Sequence, residues 1–119
     1  MRLAIASLVV AACVVSSSAN AQQDFRSGNF FLEGCREAAS NVLTNENRFV
    51  AGLCHGVISG IIFSLDEKDF CTPRDATNQQ RARVVYAFLQ NNPGRTHEQF
   101  TGLAYEALIK AWPCNRAKP

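Results

Sequence analysis

The sequence has no long run of lysine and arginine and no strong excess of either charge. It contains 12 basic and 10 acidic residues. A basic tail or stripe is typical of proteins that bind nucleic acid or an anionic membrane surface. The balance of charges therefore gives no reason to expect DNA, RNA or an anionic membrane as a partner.

The sequence also lacks the cysteine and histidine pairs that bind metals. It has no C-x-x-C or C-x-x-H, and its two histidines, His55 and His97, are not spaced with the cysteines as zinc ligands usually are. No phosphate-binding glycine loop and no paired-carboxylate motif is present. We therefore predict no metal and no cofactor.

No arrangement of residues predicts a nucleophilic enzyme. Cys54 precedes His55 directly, but adjacent side chains on a helix point about 100° apart. His55 and Ser59 lie four residues apart, yet no carboxylate is spaced to orient the imidazole as a base. We interpret His55 as a half-buried structural histidine and His97 as a solvated residue in the first turn of a helix. An enzyme is the least favoured class.

Residues 1–21 are typical of a secretory signal peptide. Arg2 supplies a positive start, an apolar stretch follows, and Ala19-Asn20-Ala21 is a small-x-small cleavage site. We expect residues 22–119 to form one periplasmic domain. The sequence before Cys13 also resembles a lipoprotein processing box, but the apolar run continues past that cysteine and so favours cleavage after Ala21.

Seventeen residues, Phe49–Leu65, carry no formal charge and have glycines at positions 52, 56 and 60. Glycine inside a helix costs about 0.5–1 kcal/mol relative to alanine. Gly52, Gly56 and Gly60 therefore predict a helix-packing groove for another helix backbone or a bulky side chain. The spacing also suits a membrane helix pair, but flanking amphipathic segments favour a buried central helix and no membrane span in the mature protein.

Three amphipathic segments surround this stretch. The first is predicted from about Asn29 to Leu43. Helix three begins at Thr77, which forms a capping box with Gln80, and a second box is predicted at Thr96 and Gln99. The apolar positions expected to face the core are Phe31, Leu32, Cys35, Ala38, Ala39 and Val42, then Ala82, Val85, Phe88 and Leu89, then Phe100, Leu103, Ala104, Ala107, Leu108 and Ala111. Since no β-type alternation is found, we predict a small all-α four-helix domain.

Four cysteines remain after the signal peptide, and an even number in a small exported chain predicts two disulfides. Cys35 and Cys54 lie nearly level in an antiparallel hairpin of the first two helices. Cys71 begins the connection to helix three, beside the expected end of helix four at Cys114. We therefore choose the pairs Cys35–Cys54 and Cys71–Cys114 among three possibilities.

We predict that the partner binds to residues in two exposed polar loops. We expect these loops at opposite ends of the bundle. Pro93 and Cys71 would make these loops rigid, although an ordinary solvated turn remains an open alternative for each. The loops consist of Asp66, Glu67, Lys68 and Asp69, and of Asn91, Asn92, Gly94 and Arg95.

Several motifs resemble the type VI secretion amidase-immunity family, the Tai and Rap proteins, over about residues 31–114. The motifs are, in chain order, Gly52-Leu53-Cys54-x-Gly56-x-x-x-Gly60, Phe70-Cys71-x-Pro73, Val84-Val85-Tyr86-x-Phe88-Leu89 followed by Asn92-Pro93, and Ala107-Leu108-x-x-Ala111-Trp112-Pro113-Cys114. The resemblance implies a small, helical, disulfide-bonded periplasmic protein. It would bind and block a toxic secreted peptidoglycan amidase, as a possible homodimer, without catalysing a reaction.

One position departs from the family pattern, and one other class of protein shares some of these features. Val57 stands where the family commonly has an aromatic residue after the cysteine and glycine of this helix. A different class, the small acid-activated periplasmic chaperones of the HdeA type, is also helical and disulfide-bonded. Those proteins carry one bridge, whereas this chain is predicted to carry two, so the immunity protein is favoured.

Overall fold

The computed structural model describes residues 24–40 and 44–115, and this part of the chain is helical. Four α-helices follow one another: α1 (Gly28–Ala39), α2 (Arg48–Leu65), α3 (Asn78–Asn91) and α4 (Phe100–Ala111), with a short 3-10 helix at Pro93–Arg95. Within the described ranges only two isolated β-bridges are found. The predicted all-α four-helix domain is confirmed. The predicted signal peptide, the predicted core position Val42 and the predicted helix end at Leu43 lie outside the described residues.

α1 ends earlier than predicted. It begins after Ser27, whose hydroxyl accepts a hydrogen bond from the Phe30 amide at 3.3 Å, and it stops at Ala39 instead of continuing to Leu43. The Ala39 carbonyl accepts hydrogen bonds from the side chains of Gln79 and Arg83 on α3. A carbonyl at the end of a helix needs such a partner, so α3 stabilises the end of α1 at this position.

The capping box of α3 is confirmed, whereas the one predicted for α4 is wrong. Thr77 accepts from the Gln80 amide, and the Gln80 side chain accepts from the Thr77 amide. Thr96, in contrast, donates its hydroxyl to the carbonyl of Pro93, and Gln99 precedes α4 without a side-chain capping bond. His97 consequently lies before α4 and not in its first turn.

The start of α4 is determined by pairing with the segment before α1. Three backbone hydrogen bonds join the two segments: Gly28 N to Glu98 O at 2.9 Å, Asn29 N to Thr96 O at 2.7 Å, and Phe100 N to Arg26 O at 2.7 Å. These backbone groups are used between segments and are not available for a helix. The helical pattern can therefore begin only at Phe100.

α1 packs extensively against both α2 and α3, and α2 contacts all three other helices. The buried residues of α2 are Ala51, Cys54, Ile58 and Ile62, and its glycine side is exposed. Gly34 explains how closely α1 and α2 approach, since a Cβ atom at Gly34 would overlap the Val50 carbonyl and lie 2.9 Å from its carbon.

The core draws on every helix and on one loop residue. Most of the predicted core positions are buried, but Ala111 is exposed because it forms the last turn of α4. Phe70, in the connection after α2, is fully buried. The buried apolar residues are Cys35, Ala38, Ala51, Cys54, Ile58, Ile62, Phe70, Ala82, Val85, Phe88, Leu89, Phe100, Leu103, Ala104, Ala107 and Leu108.

Both predicted disulfides are confirmed. Cys35–Cys54 joins α1 to α2 with 0% exposure of either cysteine, and Cys71–Cys114 joins the connection after α2 to the chain after α4. By loop closure alone, cross-links that span 19 and 43 residues each stabilise a fold by about 3–4 kcal/mol. The first disulfide therefore joins α2 covalently to α1, and the second joins the C-terminal end to the connection after α2.

We expect Gly34→Ala to lower the free energy of unfolding by about 1–3 kcal/mol, as overpacking against a fixed group does. The group in the way is the backbone carbonyl of Val50, which cannot rotate aside. Gly102→Ala is the matched control, because nothing lies within 4 Å of a Cβ at that α4 position. Urea unfolding of both variants tests the close contact, and equal stabilities would contradict it.

Candidate binding surfaces

The loop of residues 66–69 is exposed but firmly anchored. The Asp66 carboxylate accepts a hydrogen bond from the Thr72 amide at 2.8 Å, and the Asp69 carboxylate accepts one from the Tyr105 hydroxyl at 3.0 Å. This contact with Asp69 raises the pKa of Tyr105. Glu67 and Lys68 project at the tip, where both are exposed.

The backbone of this loop makes a tight turn that leads into the core. Glu67 has φ 64°, a left-handed conformation, and its amide donates to the carbonyl of Phe70 at 2.7 Å. Such a conformation is costly for a residue other than glycine. The buried ring of Phe70 and the neighbouring disulfide at Cys71 hold the chain in it.

The loop of residues 91–95 is held by Arg95. Its guanidinium makes hydrogen bonds of 2.9 Å to both carboxylate oxygens of Glu98, and of 3.1 and 2.8 Å to those of Glu106. Lys110 adds an ion pair with Glu106 at 3.0 Å. Both cations also lie over the ring of Phe88, at 5.8 Å for Arg95 and 5.2 Å for Lys110.

These contacts shift the acidity of the carboxyl groups. Hydrogen bonds from Arg95 and then from Lys110 lower the pKa of Glu106 to about 2, and the hydrogen bond from Arg95 also lowers the pKa of Glu98. The two carboxylates in turn raise the pKa of Arg95. All four side chains are partly exposed, so the network is screened by salt.

The two loops are attached to neighbouring positions on α4. Asp69 bonds to Tyr105, and Arg95 pairs with Glu106, the next residue. The 66–69 loop leads to Cys71, whose amide donates to Trp112 at the carboxyl end of α4, whereas the 91–95 loop precedes the amino end. α4 therefore forms a common base for both predicted binding loops.

The residues considered for catalysis are not brought together. Cys54 is oxidised in a disulfide, and burial lowers the pKa of the half-buried His55. Within the described part of the chain, the ring of His55 makes no hydrogen bond to Ser59 or to any other group. Residues 24–40 and 44–115 also contain no group of three metal-ligating side chains.

A shallow depression of about 290 Å³ lies between the start of α3 and the end of α4. Arg83 and Asp75 are its charged residues, and Trp112 forms one apolar wall. The side chain of Arg83 already donates to the Ala39 carbonyl. The depression therefore offers no convergent set of polar groups for a small molecule.

The glycines of α2 do not pack against any described part of the chain. A Cβ atom placed on Gly52, Gly56 or Gly60 would meet nothing within 4 Å. Phe49 and Phe63 on the same helix are 74% and 93% exposed. The described part of the chain therefore does not fill the predicted groove, and the helix-packing role of these three glycines remains a prediction.

By length and composition, α2 also passes the test for a membrane-crossing helix, with a mean hydropathy of 1.6 and 22% of its residues buried. Core helices of water-soluble proteins pass the same test. The buried side of α2, which contains Cys54 and Ile58, is joined to α1 by the disulfide.

Comparison with protein families decides the relationship. The sequence model of the Rap1a immunity proteins matches residues 27–114, which include all four helices and both disulfides. The chain belongs to the Rap1a immunity protein family. No curated protein and no solved structure showed a significant similarity to the chain. Membership in the Rap1a family indicates toxin immunity and a toxin partner.

Two structurally important glycines of this Rap1a family member were missed in the sequence. Gly34 allows the close contact of α1 with α2. Gly28 lies against α4 and the segment before it, where a Cβ would come within 2.8 Å of both the Thr96 carbonyl and a Leu103 methyl. Each glycine lies near a recognisable feature, Cys35 or the capping residue Ser27. The regular spacing on α2 predicted packing for Gly52, Gly56 and Gly60, which face open space in the described part of the chain.

Arg95→Ala should flatten the acid dependence of stability. Because the pKa of Glu106 is depressed from 4.5 to about 2 in the folded protein, its contribution is fully present above about pH 4.5 and is lost as the pH falls toward 2. We therefore expect the Tm of the parent to fall more steeply than that of the variant between pH 5 and pH 2. Arg74→Ala, which removes an exposed arginine outside this network, is the control and should keep the parent's slope.

Proposed function

We propose that this protein is a periplasmic immunity protein that binds and inhibits a toxic peptidoglycan amidase delivered by a type VI secretion system. The observation that carries this proposal is the family match over residues 27–114. The amidase as target rests on the resemblance of the motifs around Cys54, Cys71 and Cys114 to the Tai and Rap proteins. The homodimer that this resemblance implies is compatible with the same role.

Inhibition by a loop is the mode that the geometry supports best. A loop that enters an enzyme cleft must present polar groups while losing little conformational freedom on binding. The 66–69 loop meets this requirement, since Asp66 and Asp69 are anchored while Glu67 and Lys68 project from it. The left-handed backbone at Glu67 adds support, because such strain is often retained at functional sites.

The 91–95 loop supplies a second candidate contact. Asn92 donates its side-chain amide to the Phe88 carbonyl at 2.8 Å, and Arg95 is fixed by two carboxylates. Asn91 and Gly94 remain exposed at the tip. This loop is therefore also firmly anchored and has exposed polar groups at its tip.

The disulfides and the sequence of residues 1–21 both support the periplasm as the proposed compartment. Two disulfides suit an oxidising compartment, and residues 1–21 have the pattern of a secretory signal peptide. Lipid attachment through Cys13 is the less favoured alternative. In the periplasm the protein would meet a cell-wall hydrolase where that enzyme acts.

Purification of the tagged protein from a periplasmic extract, followed by mass spectrometry, tests the function. We expect a peptidoglycan amidase to co-purify, and we expect cells that express that amidase in the periplasm to survive only when this protein is present. If the captured amidase remains toxic in the presence of this protein, the proposed inhibition is wrong. Capture of only acid-unfolded clients would favour a chaperone instead.

We expect Lys68→Glu and Gly94→Arg each to weaken amidase binding at least tenfold without lowering the Tm. Both changes alter exposed loop tips, and a Cβ atom at Gly94 would meet nothing within 4 Å. The matched controls are Arg74→Glu and Gly102→Arg, which make the same changes on exposed surface outside both loops. Isothermal titration calorimetry measures the affinities, and unchanged binding by both loop variants would move the interface to a helix face.

A further inference from the structure

The two disulfides differ in their access to solvent. Both cysteines of the Cys35–Cys54 bridge are 0% exposed. Cys71 and Cys114 are partly exposed, and the residues on either side of Cys114 are exposed. Thiol–disulfide exchange requires that the attacking thiolate reaches a bridge sulfur. A reductant in water can therefore reach the Cys71–Cys114 bridge in the folded protein, whereas the Cys35–Cys54 bridge first requires opening of the core.

The depression between α3 and α4 lies beside the accessible bridge. Pro73 and Trp112 both line this depression, and each is two residues from a bridge cysteine. Its volume is about 290 Å³, close to that of the smallest ligand pockets. The depression holds no convergent polar groups, so it offers an approach to the bridge and not a binding site of its own.

The bridge is directly connected to the 66–69 loop. The amide of Thr72, the residue after Cys71, donates to the Asp66 carboxylate at 2.8 Å. The amide of Cys71 donates to the Trp112 carbonyl at 2.8 Å. Glu67 has the left-handed φ of 64°, a conformation that persists only where the surroundings enforce it. Loss of the covalent link at Cys71 removes one of these restraints and favours relaxation of the loop.

The helices are held independently of this bridge. α4 contains five buried apolar residues, and the Cys35–Cys54 bridge joins α1 to α2. Phe70 is fully buried as well. These contacts remain when the Cys71–Cys114 bridge opens, so the change is confined to the loop and to the chain after α4.

We propose that Cys71–Cys114 is a reversible redox site, at which a dithiol reductant opens the bridge and thereby loosens the 66–69 loop. One thiolate of the dithiol attacks a bridge sulfur, and the other cysteine leaves as a thiolate. The second thiolate of the dithiol then attacks the mixed disulfide and releases the remaining cysteine. Two electrons pass from the dithiol to the bridge, the dithiol becomes a disulfide, and Cys71 and Cys114 take up two protons.

Timed alkylation tests the selectivity of the reduction. The folded protein is treated with dithiothreitol, quenched with iodoacetamide and digested, and mass spectrometry follows each cysteine. We expect Cys71 and Cys114 to be alkylated at least tenfold faster than Cys35 and Cys54. In guanidinium chloride the four rates should become equal, which shows that the fold causes the difference. Equal rates in the folded protein, or faster alkylation of Cys35 and Cys54, would overturn the proposal.

Hydrogen–deuterium exchange tests the effect on the loop. The amides of Glu67, Cys71 and Thr72 are hydrogen-bonded in the oxidised protein. We expect them to exchange at least tenfold faster in the double variant Cys71→Ser/Cys114→Ser and in the reduced parent, with α1 and α2 unchanged. Oxidation of the reduced parent with glutathione disulfide should restore slow exchange.

Two results of these measurements contradict the loosening of the loop. Unchanged exchange of residues 67–72 in both reduced forms is one. Loss of the helical circular dichroism signal on selective reduction is the other, because the bridge would then hold the whole fold. Neither measurement uses a toxin, so failure of this proposal is distinguishable from failure of the proposed function.

Discussion

The contact between α1 and α2 at Gly34 is the constraint on which the rest of the structure depends. Because Gly34 has no side chain, the Val50 carbonyl can lie against the α1 backbone. The next residue, Cys35, is then close enough to Cys54 to form the buried disulfide, with 5.2 Å between the Cα atoms. α1 can at the same time pack against α3.

This arrangement separates stability from recognition. The apolar core is formed by α1, α3, α4 and one side of α2, together with Phe70. The 66–69 and 91–95 loops are attached to that core through a few hydrogen bonds, such as those between Asp69 and Tyr105 and between Arg95 and Glu106. Side chains at the loop tips can consequently be exchanged at little cost to the fold.

The periodicity of apolar residues predicted the helices well, because burial follows the helical repeat. Ala82, Val85 and Leu89 are all fully or almost fully buried. Local hydrogen-bond chemistry was predictable where it stays within one segment, as in the capping box of Thr77 and Gln80. The order of the helices was enough to choose the two disulfides.

Features that depend on distant segments were not predictable in this way. α4 starts at Phe100 and not at Thr96 because the backbone there pairs with residues 26–29. The exposure of the glycine side of α2 could not be predicted, since the composition of this helix suits complete burial equally well. The sequence indicates that the predicted binding loops are exposed and polar. Their bonds to Tyr105 and Glu106 depend on the tertiary structure and could not be predicted.

The backbone pairing of residues 26–29 with residues 96–100 also governs the order in which the chain can fold. Ser27, at the start of the domain, forms a β-bridge with Gln99, which is made 72 residues later. In the proposed periplasm, Cys35 and Cys54 can meet before residue 99 has emerged, but Cys71 has to await Cys114. Oxidation in chain order would thus secure α1 and α2 as an early hairpin, onto which the later helices close.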